Sequence, residues 1–391
     1  MLSHSPDLMF KLPIQMYDPT RYYFKHQAKF DAKIKEIIHK GSFINGPEVG
    51  QLEKKLQDYT GAIHAVTCAN GTDALFIALR ALDIGSGDEV ITVGHTWIST
   101  SETIALAGAK PVFVDIREED FNIDPNKIEE KITEKTKAIL FVSLYGLMPD
   151  CQNLHEIATK HQLKLIEDGA QSFGAEYLGS KSCSCKYTDI ATTSFFPSKP
   201  LGCWGDGGAI MTNDENLARK IRSIKNHGGL ERFHHKYIGL NSRLDTLQAA
   251  VLLVKMETFD DDLEERNKHA EYYTEKLEHI SLLKKPFVDK SSHKHVWAQY
   301  SLLCPSKEVR DSLSQHLKNN QINVSIFYPV GLHKQECFSY LGETSLEVTD
   351  KVCDTILNLP SYAEITYDEQ DYIIQTLISW FNPPEPVLIK E

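Results

Sequence analysis

At 391 residues the chain exceeds the ~100–200 residues of one ordinary domain, so two packed domains are the default. Its 41% apolar and 25% charged residues are a soluble globular mixture and exclude global disorder. With 42 basic against 54 acidic residues the net charge is −12, which excludes a dedicated nucleic-acid binder or a basic membrane-surface protein and leaves small anionic ligands held by a local cluster of donors.

No stretch approaches the ~18 consecutive apolar residues of a bilayer span. The first residues, MLSHSPDLMFKLPIQMYDPTRYYF, have no basic start and no continuous apolar core, so they read as neither signal peptide nor anchor. Eight cysteines are scattered without a CxxC pair, and Cys183 and Cys185 have the wrong spacing for a zinc knuckle. Reduced thiols of a cytoplasmic protein are expected. The sequons at Asn70 and Asn323 are then chance matches.

In chain order, residues 1–26 read as an N-terminal arm and a helical pattern runs from about His26 to His39. Short apolar runs follow at 65–69, 88–93, 110–115, 138–145, 163–168, 188–196 and 208–212, separated by helix-like stretches at 72–82, 99–107 and 153–161. Apolar strands alternating with helices predict a mostly parallel seven-stranded sheet covered on both faces. From Leu244 one long helical stretch reads as a connector into a smaller α+β unit, with strands at 298–304 and 323–328 and a helix at 307–319. The division expected is a large domain over 27–254 and a small one over 255–391.

In such sheets ligands gather outside the carboxyl ends of the strands. Asn70-Gly71-Thr72 follows the first strand and opens a helix, whose free N–H groups and Thr72 hydroxyl make a phosphate cradle. Neither G-x-G-x-x-G after a strand nor a P-loop is present, so dinucleotide and P-loop readings lose their support. Strand LKLIED ends in Glu167-Asp168, placing a carboxylate at the crevice. Strand TDIATTSFF runs into PSKPLGCWGDGG, where Lys199 stands between two prolines in a glycine-rich loop of specified shape. An anion cradle, a carboxylate for a ring nitrogen and a lysine for a Schiff base together indicate pyridoxal 5′-phosphate (PLP). Metal readings fail: His155-Glu156 with His161 is not H-E-x-x-H, and His227, His234 and His235 lack acids at regular spacing.

FINGPEV (43–49), NGTDAL (70–75), GDEVITVGHTWIST (87–100), GAKPVFVD (108–115), SLYG (143–146), IEDGAQSFGA (166–175), TSFFPSKPLGCWGDGGA (193–209), NHG (226–228) and NSRLDTLQAA (241–250) make the chain resemble the DegT/DnrJ/EryC1/StrS family of PLP-dependent sugar aminotransferases. The resemblance implies an α/β protein of PLP-dependent transferase fold type I, like aspartate aminotransferase. It implies Lys199 as the imine-forming lysine and proton-transfer group, Asp168 as partner of the pyridinium nitrogen and Gln171 as donor to the phenolic oxygen. Trp97 would stack on the ring, Gly71, Thr72 and Ser194 would hold the phosphate, and Asn241 would complete that site from the partner subunit of a homodimer.

Arg243, His227 and Tyr328 are the candidate substrate contacts, a fixed guanidinium suiting an anionic group. The longer runs, with VWAQYSLL (296–303) and Tyr328-Pro329, resemble the branch that aminates 3-keto nucleotide sugars. That branch implies transfer from L-glutamate to UDP-2-acetamido-2-deoxy-3-oxo-glucuronate for a cell-surface polysaccharide of O-antigen type. The branch's usual YPIPL is here Tyr328-Pro329-Val330-Gly331-Leu332, preceded by Phe327 where His is common, and Leu147 replaces the Gln of YGQ. The alternatives are 4-amino transfer to a UDP- or dTDP-4-keto-6-deoxy sugar and a non-catalytic PLP- or sugar-binding regulator. A dehydratase of the same family would carry His at Lys199, and a regulator would be expected to lose the lysine, the carboxylate or the cradle.

Overall fold

The computed structural model describes residue 10 and residues 12–381. Helix α1 (Pro19–Lys40) starts well before His26: Asp18 caps it, accepting from the Thr20 N–H at 3.0 Å, and Pro19 occupies the first turn. His26 itself (φ −122°, ψ 18°) interrupts the helical geometry. The turn before it carries Tyr22, Tyr23 and Phe24 in a row, which hides the helical spacing. Helix α2 (Pro47–Thr60) follows.

An alternating run then builds the main sheet: β1 (His64–Cys68), α3 (Gly71–Ala81), β2 (Glu89–Val93), α4 (Ser99–Leu106), β3 (Lys110–Val114), β4 (Thr136–Val142), α5 (Cys151–Lys160) and β5 (Lys164–Asp168). After a small hairpin, β6 (Glu176–Tyr177) and β7 (Ser180–Lys181), come β8 (Ile190–Ser194), β9 (Gly208–Thr212) and α6 (Glu215–Ile224). The seven strands run β1-β9-β8-β5-β4-β2-β3, all where the apolar runs predict them. Only β9 runs against its neighbours in this sheet. The carboxyl ends of β1, β2, β4, β5 and β8 therefore share one edge with the beginning of β9. Helices cover both faces, and β2 and β9 are buried at every position.

The expected connector is two helices, α7 (Thr246–Lys255) and α8 (Phe259–Lys276). The break has a physical reason: α7 is buried along most of its length, whereas α8 opens on Asp260, Asp261 and Asp262, which favour a helix start. The remainder adds β10 (His293–Lys294), β11 (Tyr300–Leu303), α9 (Lys307–Asn319), α10 (Glu347–Thr355), β12 (Ile356–Leu359) and α11 (Tyr367–Phe381). A second core gathers on the β11–β12 pair, with Tyr273, Tyr300, Leu313, Leu357 and Leu377 among its buried members. Ile14, fully buried, joins this core and bridges to Ile322.

The strand expected at 323–328 is reduced to one bridge, Ser325 with Asn358. Beyond it the Phe327 N–H donates to the Asn358 side-chain oxygen at 2.9 Å instead of to a ladder carbonyl. Asp115, one residue past β3, ties the end of that strand to α10. Its carboxylate accepts from the N–H groups of Val348 and Thr349 and from the Thr349 hydroxyl at 2.8–2.9 Å, at the first turn of α10.

Candidate active site

The edge where the strands end collects most of the residues singled out in the sequence. Asp168 closes β5 and is buried. Its carboxylate accepts from the Thr100 hydroxyl at 2.8 Å and from the Ala170 N–H at 3.2 Å. Burial pushes its pKa up, while those two donors and the Lys199 charge hold it down. Glu167 faces the other side of the strand, as the two-residue period requires. There it accepts from Ser143, Ser182 and the Cys183 N–H at 2.6–3.0 Å, which makes it a structural carboxylate.

Lys199 sits in a turn of the β8–β9 connection, its N–H donating to the Phe196 carbonyl at 2.9 Å. Burial lowers the pKa of its amine, and the Asp168 carboxylate opposes that shift. Each charge shifts the pKa of the other group, the arrangement that a nucleophile and its charge partner need.

At the start of α3, Asn70 caps the helix by accepting from the Asp73 N–H at 2.7 Å. The Gly71 and Thr72 N–H groups have no acceptor among the described residues and remain available to an anion. A Cβ on Gly71 would lie 2.7 Å from the Ser194 Cβ. Only glycine lets the helix start meet the end of β8. Across the strand pair, a Cβ on Gly208 would lie 2.5 Å from the Asn70 carbonyl oxygen. Gly71, Thr72 and Ser194 are thus brought together. The Thr72 hydroxyl also lies 2.7 Å from that of Ser99, which donates to Glu102 at 3.0 Å.

Gln171 is held from both ends. Its side-chain oxygen accepts from the Tyr145 N–H at 2.8 Å and its amide donates to the Tyr328 hydroxyl at 3.2 Å. Trp97 is 59% exposed, its ring 6.2 Å from that of Tyr328. The Tyr145 hydroxyl donates to the Phe327 carbonyl and contacts His95 Nε2 at 2.9 Å. His95 is fully buried, and burial lowers its pKa to about 3, so the ring is neutral.

His227, Asn241 and Arg243 form a separate group. The His227 N–H donates to the Leu240 carbonyl at 2.8 Å, and Asn226 bridges to Asn241. The Ala69 N–H donates to Ser242 at 3.1 Å, which anchors this pair of segments beside the end of β1. His227 and Asn241 are exposed and Arg243 is half-buried. No hydrogen bond among the described residues ties these three to Asp168, Gln171 or Lys199. The histidines weighed as ligands are otherwise engaged: His155 contacts the Tyr187 carbonyl at 2.7 Å and His161 pairs with Glu129 at 2.7 Å.

Sequence reasoning did not single out Ser99, Thr100, Glu102 or His95. Thr96, Trp97, Ser99 and Thr100 fall in one motif run, and the hydroxyl-rich composition of that helix start was the available signal.

The donor set fits PLP: unpaired N–H groups for a phosphate, a desolvated lysine for the aldehyde, and a buried carboxylate for the ring nitrogen. A fold-type-I transferase with this set is a PLP-dependent aminotransferase. The chain belongs to the DegT/DnrJ/EryC1/StrS aminotransferase family, whose model matches residues 25–378. It is 45% identical over 349 residues to the UDP-2-acetamido-2-deoxy-3-oxo-D-glucuronate aminotransferase of Pseudomonas aeruginosa, covering 89% of this chain and 95% of that one. It is 41% identical over 373 residues to a pleiotropic regulatory protein of Geobacillus stearothermophilus, covering 94% and 99%. The solved structure of NtdA from Bacillus subtilis with bound cofactor PMP superposes with a TM-score of 0.88 at 30% identity, covering 96% of this chain and 87% of that one.

Proposed function

We propose that the protein moves an amino group from L-glutamate to a 3-keto nucleotide sugar, with UDP-2-acetamido-2-deoxy-3-oxo-glucuronate as the acceptor. The observation that carries this reading is the 45% identity to the Pseudomonas aeruginosa enzyme over nearly the whole of both chains, together with the retained Lys199, Asp168 and α3 cradle. That retention argues against a non-catalytic regulator. The product would serve a cell-surface polysaccharide of O-antigen type, made in the cytoplasm.

Bound in this cleft, PLP supplies an electron sink for the carbon that exchanges its proton. The chain's part is positional. Lys199 Nζ would take and return that proton, and its burial favours the neutral amine that can do so. Asp168, whose ionised form is favoured by the Thr100 and Ala170 donors, would hold a proton on the ring nitrogen. Gln171, fixed by the Tyr145 N–H, would face the phenolic oxygen, and Trp97 would cover the ring. Gly71, Thr72 and Ser194 would hold the phosphate, with Asn241 arriving from the partner of a homodimer. Arg243, His227 and Tyr328 would meet the sugar nucleotide.

We also propose a large domain over 27–254 and a small one over 255–391: the main core draws chiefly on residues up to Met256, and the second core chiefly on residues from Ala270 onward. Incubating the pure protein with L-glutamate and a panel of 3-keto and 4-keto nucleotide sugars tests the reading. Amination of the 3-keto uronate is the expected result, and a clear preference for 4-keto-6-deoxy sugars overturns it.

A further inference from the structure

Three oxygens run in a line away from the start of α3: Thr72 Oγ1, Ser99 Oγ at 2.7 Å, and Glu102 Oε1 at 3.0 Å from the serine. Ser99 is buried, at 6% exposure, and Thr72 is half-buried. Each hydroxyl has one hydrogen to give, whereas an ionised carboxylate only accepts. The direction of the chain is therefore fixed. Ser99 gives its hydrogen to Glu102 and must accept the Thr72 hydrogen in turn. As it stands, the Thr72 hydroxyl turns a lone pair, not a hydrogen, toward any anion at the Gly71 and Thr72 N–H groups.

We propose that Glu102, acting through Ser99, is a positioning residue that withholds the Thr72 hydrogen from the cofactor's phosphate and so sets how tightly the cofactor is retained. The inference rests on the reading of this cleft as the PLP site. A phosphate dianion also only accepts, so three contacts, phosphate–Thr72, Thr72–Ser99 and Ser99–Glu102, would have to share two hydrogens. If Thr72 turns to the phosphate while Ser99 stays on Glu102, the 2.7 Å contact is left without a hydrogen and must open. The alternative is that Glu102 takes up a proton and the whole line reverses. Either route opposes phosphate binding. A glutamine at 102 removes the conflict, because its amide can donate to Ser99, Ser99 to Thr72 and Thr72 to the phosphate, with no proton taken up and one negative charge fewer beside the anion.

The test compares retention of PLP and of pyridoxal, which lacks the phosphate, by the full-length protein, read from cofactor absorbance on serial dilution. Glu102→Gln should hold PLP roughly 10-fold or more tighter, the scale of one hydrogen bond to a charged group, and pyridoxal no tighter than the wild type does. Ser99→Ala, which frees the Thr72 hydrogen, should tighten PLP in the same direction. Thr72→Val should abolish the gain from Glu102→Gln when the two are combined. Unchanged or faster loss of PLP from Glu102→Gln overturns the proposal, as does an equal gain for pyridoxal or a gain that survives in the double variant. A wild type that takes up no PLP would instead refute the cofactor site itself.

Discussion

The Thr100 hydroxyl donates to the Asp168 carboxylate at 2.8 Å, and the only hydrogen that hydroxyl has is spent there. Thr96, 3.1 Å from Thr100, must then be the donor in its own contact. A line of hydroxyls ends on the carboxylate and favours its ionised form, opposing the upward push of burial on its pKa. Asp168→Asn should fold normally by circular dichroism yet lose on the order of 100-fold or more in kcat, the usual loss when an oriented charge contact of an active site is removed. Thr100→Val keeps the carboxylate but removes a donor that lowers its pKa. The acid limb of the kcat–pH profile should therefore move to higher pH, with a loss of about 10-fold at neutrality. An unmoved limb would separate Thr100 from the chemistry.

Lys199 gives a second pH signature. Burial lowers the pKa of its amine from the ordinary value of 10.5 and Asp168 partly restores it. The neutral amine is thus populated at lower pH than for a free lysine, and the rate at which the apoprotein gains the visible absorbance of the lysine-bound cofactor on adding PLP should rise with pH through a midpoint below 10.5. In Asp168→Asn that midpoint should fall further, because the opposing carboxylate charge is gone. Lys199→Ala should show neither the absorbance nor turnover. Near-normal turnover of that variant would sink the assignment.

The part of the site legible in the sequence was the part carried by short contiguous signals. Lys199 between two prolines, Asp168 at a strand end and Gly71 at a helix start each sit where local backbone chemistry marks them. Seven apolar runs likewise specified seven strands, because a sheet covered on both faces demands apolar residues at successive positions. What stayed hidden depends on distant partners. The serine–glutamate line needs α3 and α4 side by side. The loss of a strand at 323–328 needs one asparagine side chain, from residue 358, to take a backbone donor. The break between α7 and α8 was written in Asp260–Asp262, but an unbroken helical spacing across it outweighed that signal.

Asp115 caps α10 from across the chain, so it fastens the end of β3 to a helix more than 200 residues further along through three hydrogen bonds. Asp115→Ala should lower stability by about 1–2 kcal/mol, the range for a lost helix cap, seen as a lower Tm. Asp115→Asn keeps one acceptor and should fall between that variant and the wild type. A Tm unchanged in both would mean that α10 stays docked on the sheet without this contact.

Lys255 is 7% exposed, and its ammonium makes no hydrogen bond or ion pair among the described residues, lying 5.1 Å from the centre of the Tyr22 ring and near Asp262, Glu364 and Arg266. Burial pulls its pKa from 10.5 down to about 8. The unfolded chain binds this proton up to about pH 10.5 and the folded one only up to about pH 8. Lys255 therefore costs stability below pH 8, and that cost fades as pH rises toward 10.5. Lys255→Met should stabilise the protein at pH 7 by about 1–4 kcal/mol, as replacing buried charges by apolar groups does. The advantage in Tm should shrink steadily between pH 8 and 10.5. A destabilised variant at pH 7 would show that the ammonium makes water-mediated contacts worth more than its desolvation.

The substrate reading meets its sharpest test at Arg243. The chain carries a net charge of −12, while a UDP-linked uronate carries several negative charges of its own. Long-range attraction cannot gather such a substrate, so local donors must overcome the field of the whole protein. Arg243 is half-buried and makes no ion pair among the described residues, so its guanidinium has both a fixed base and free donors. A bidentate contact to a carboxylate or a phosphate is within its chemistry. If it meets the uronate carboxylate, Arg243→Met should raise KM for the 3-keto uronate by roughly 10- to 150-fold, the equivalent of about 1.5–3 kcal/mol for a lost charge-assisted contact. For an uncharged 6-deoxy analogue the rise should be small. Equal losses on both substrates would move Arg243 to the diphosphate that they share, and no loss on either would remove it from the site.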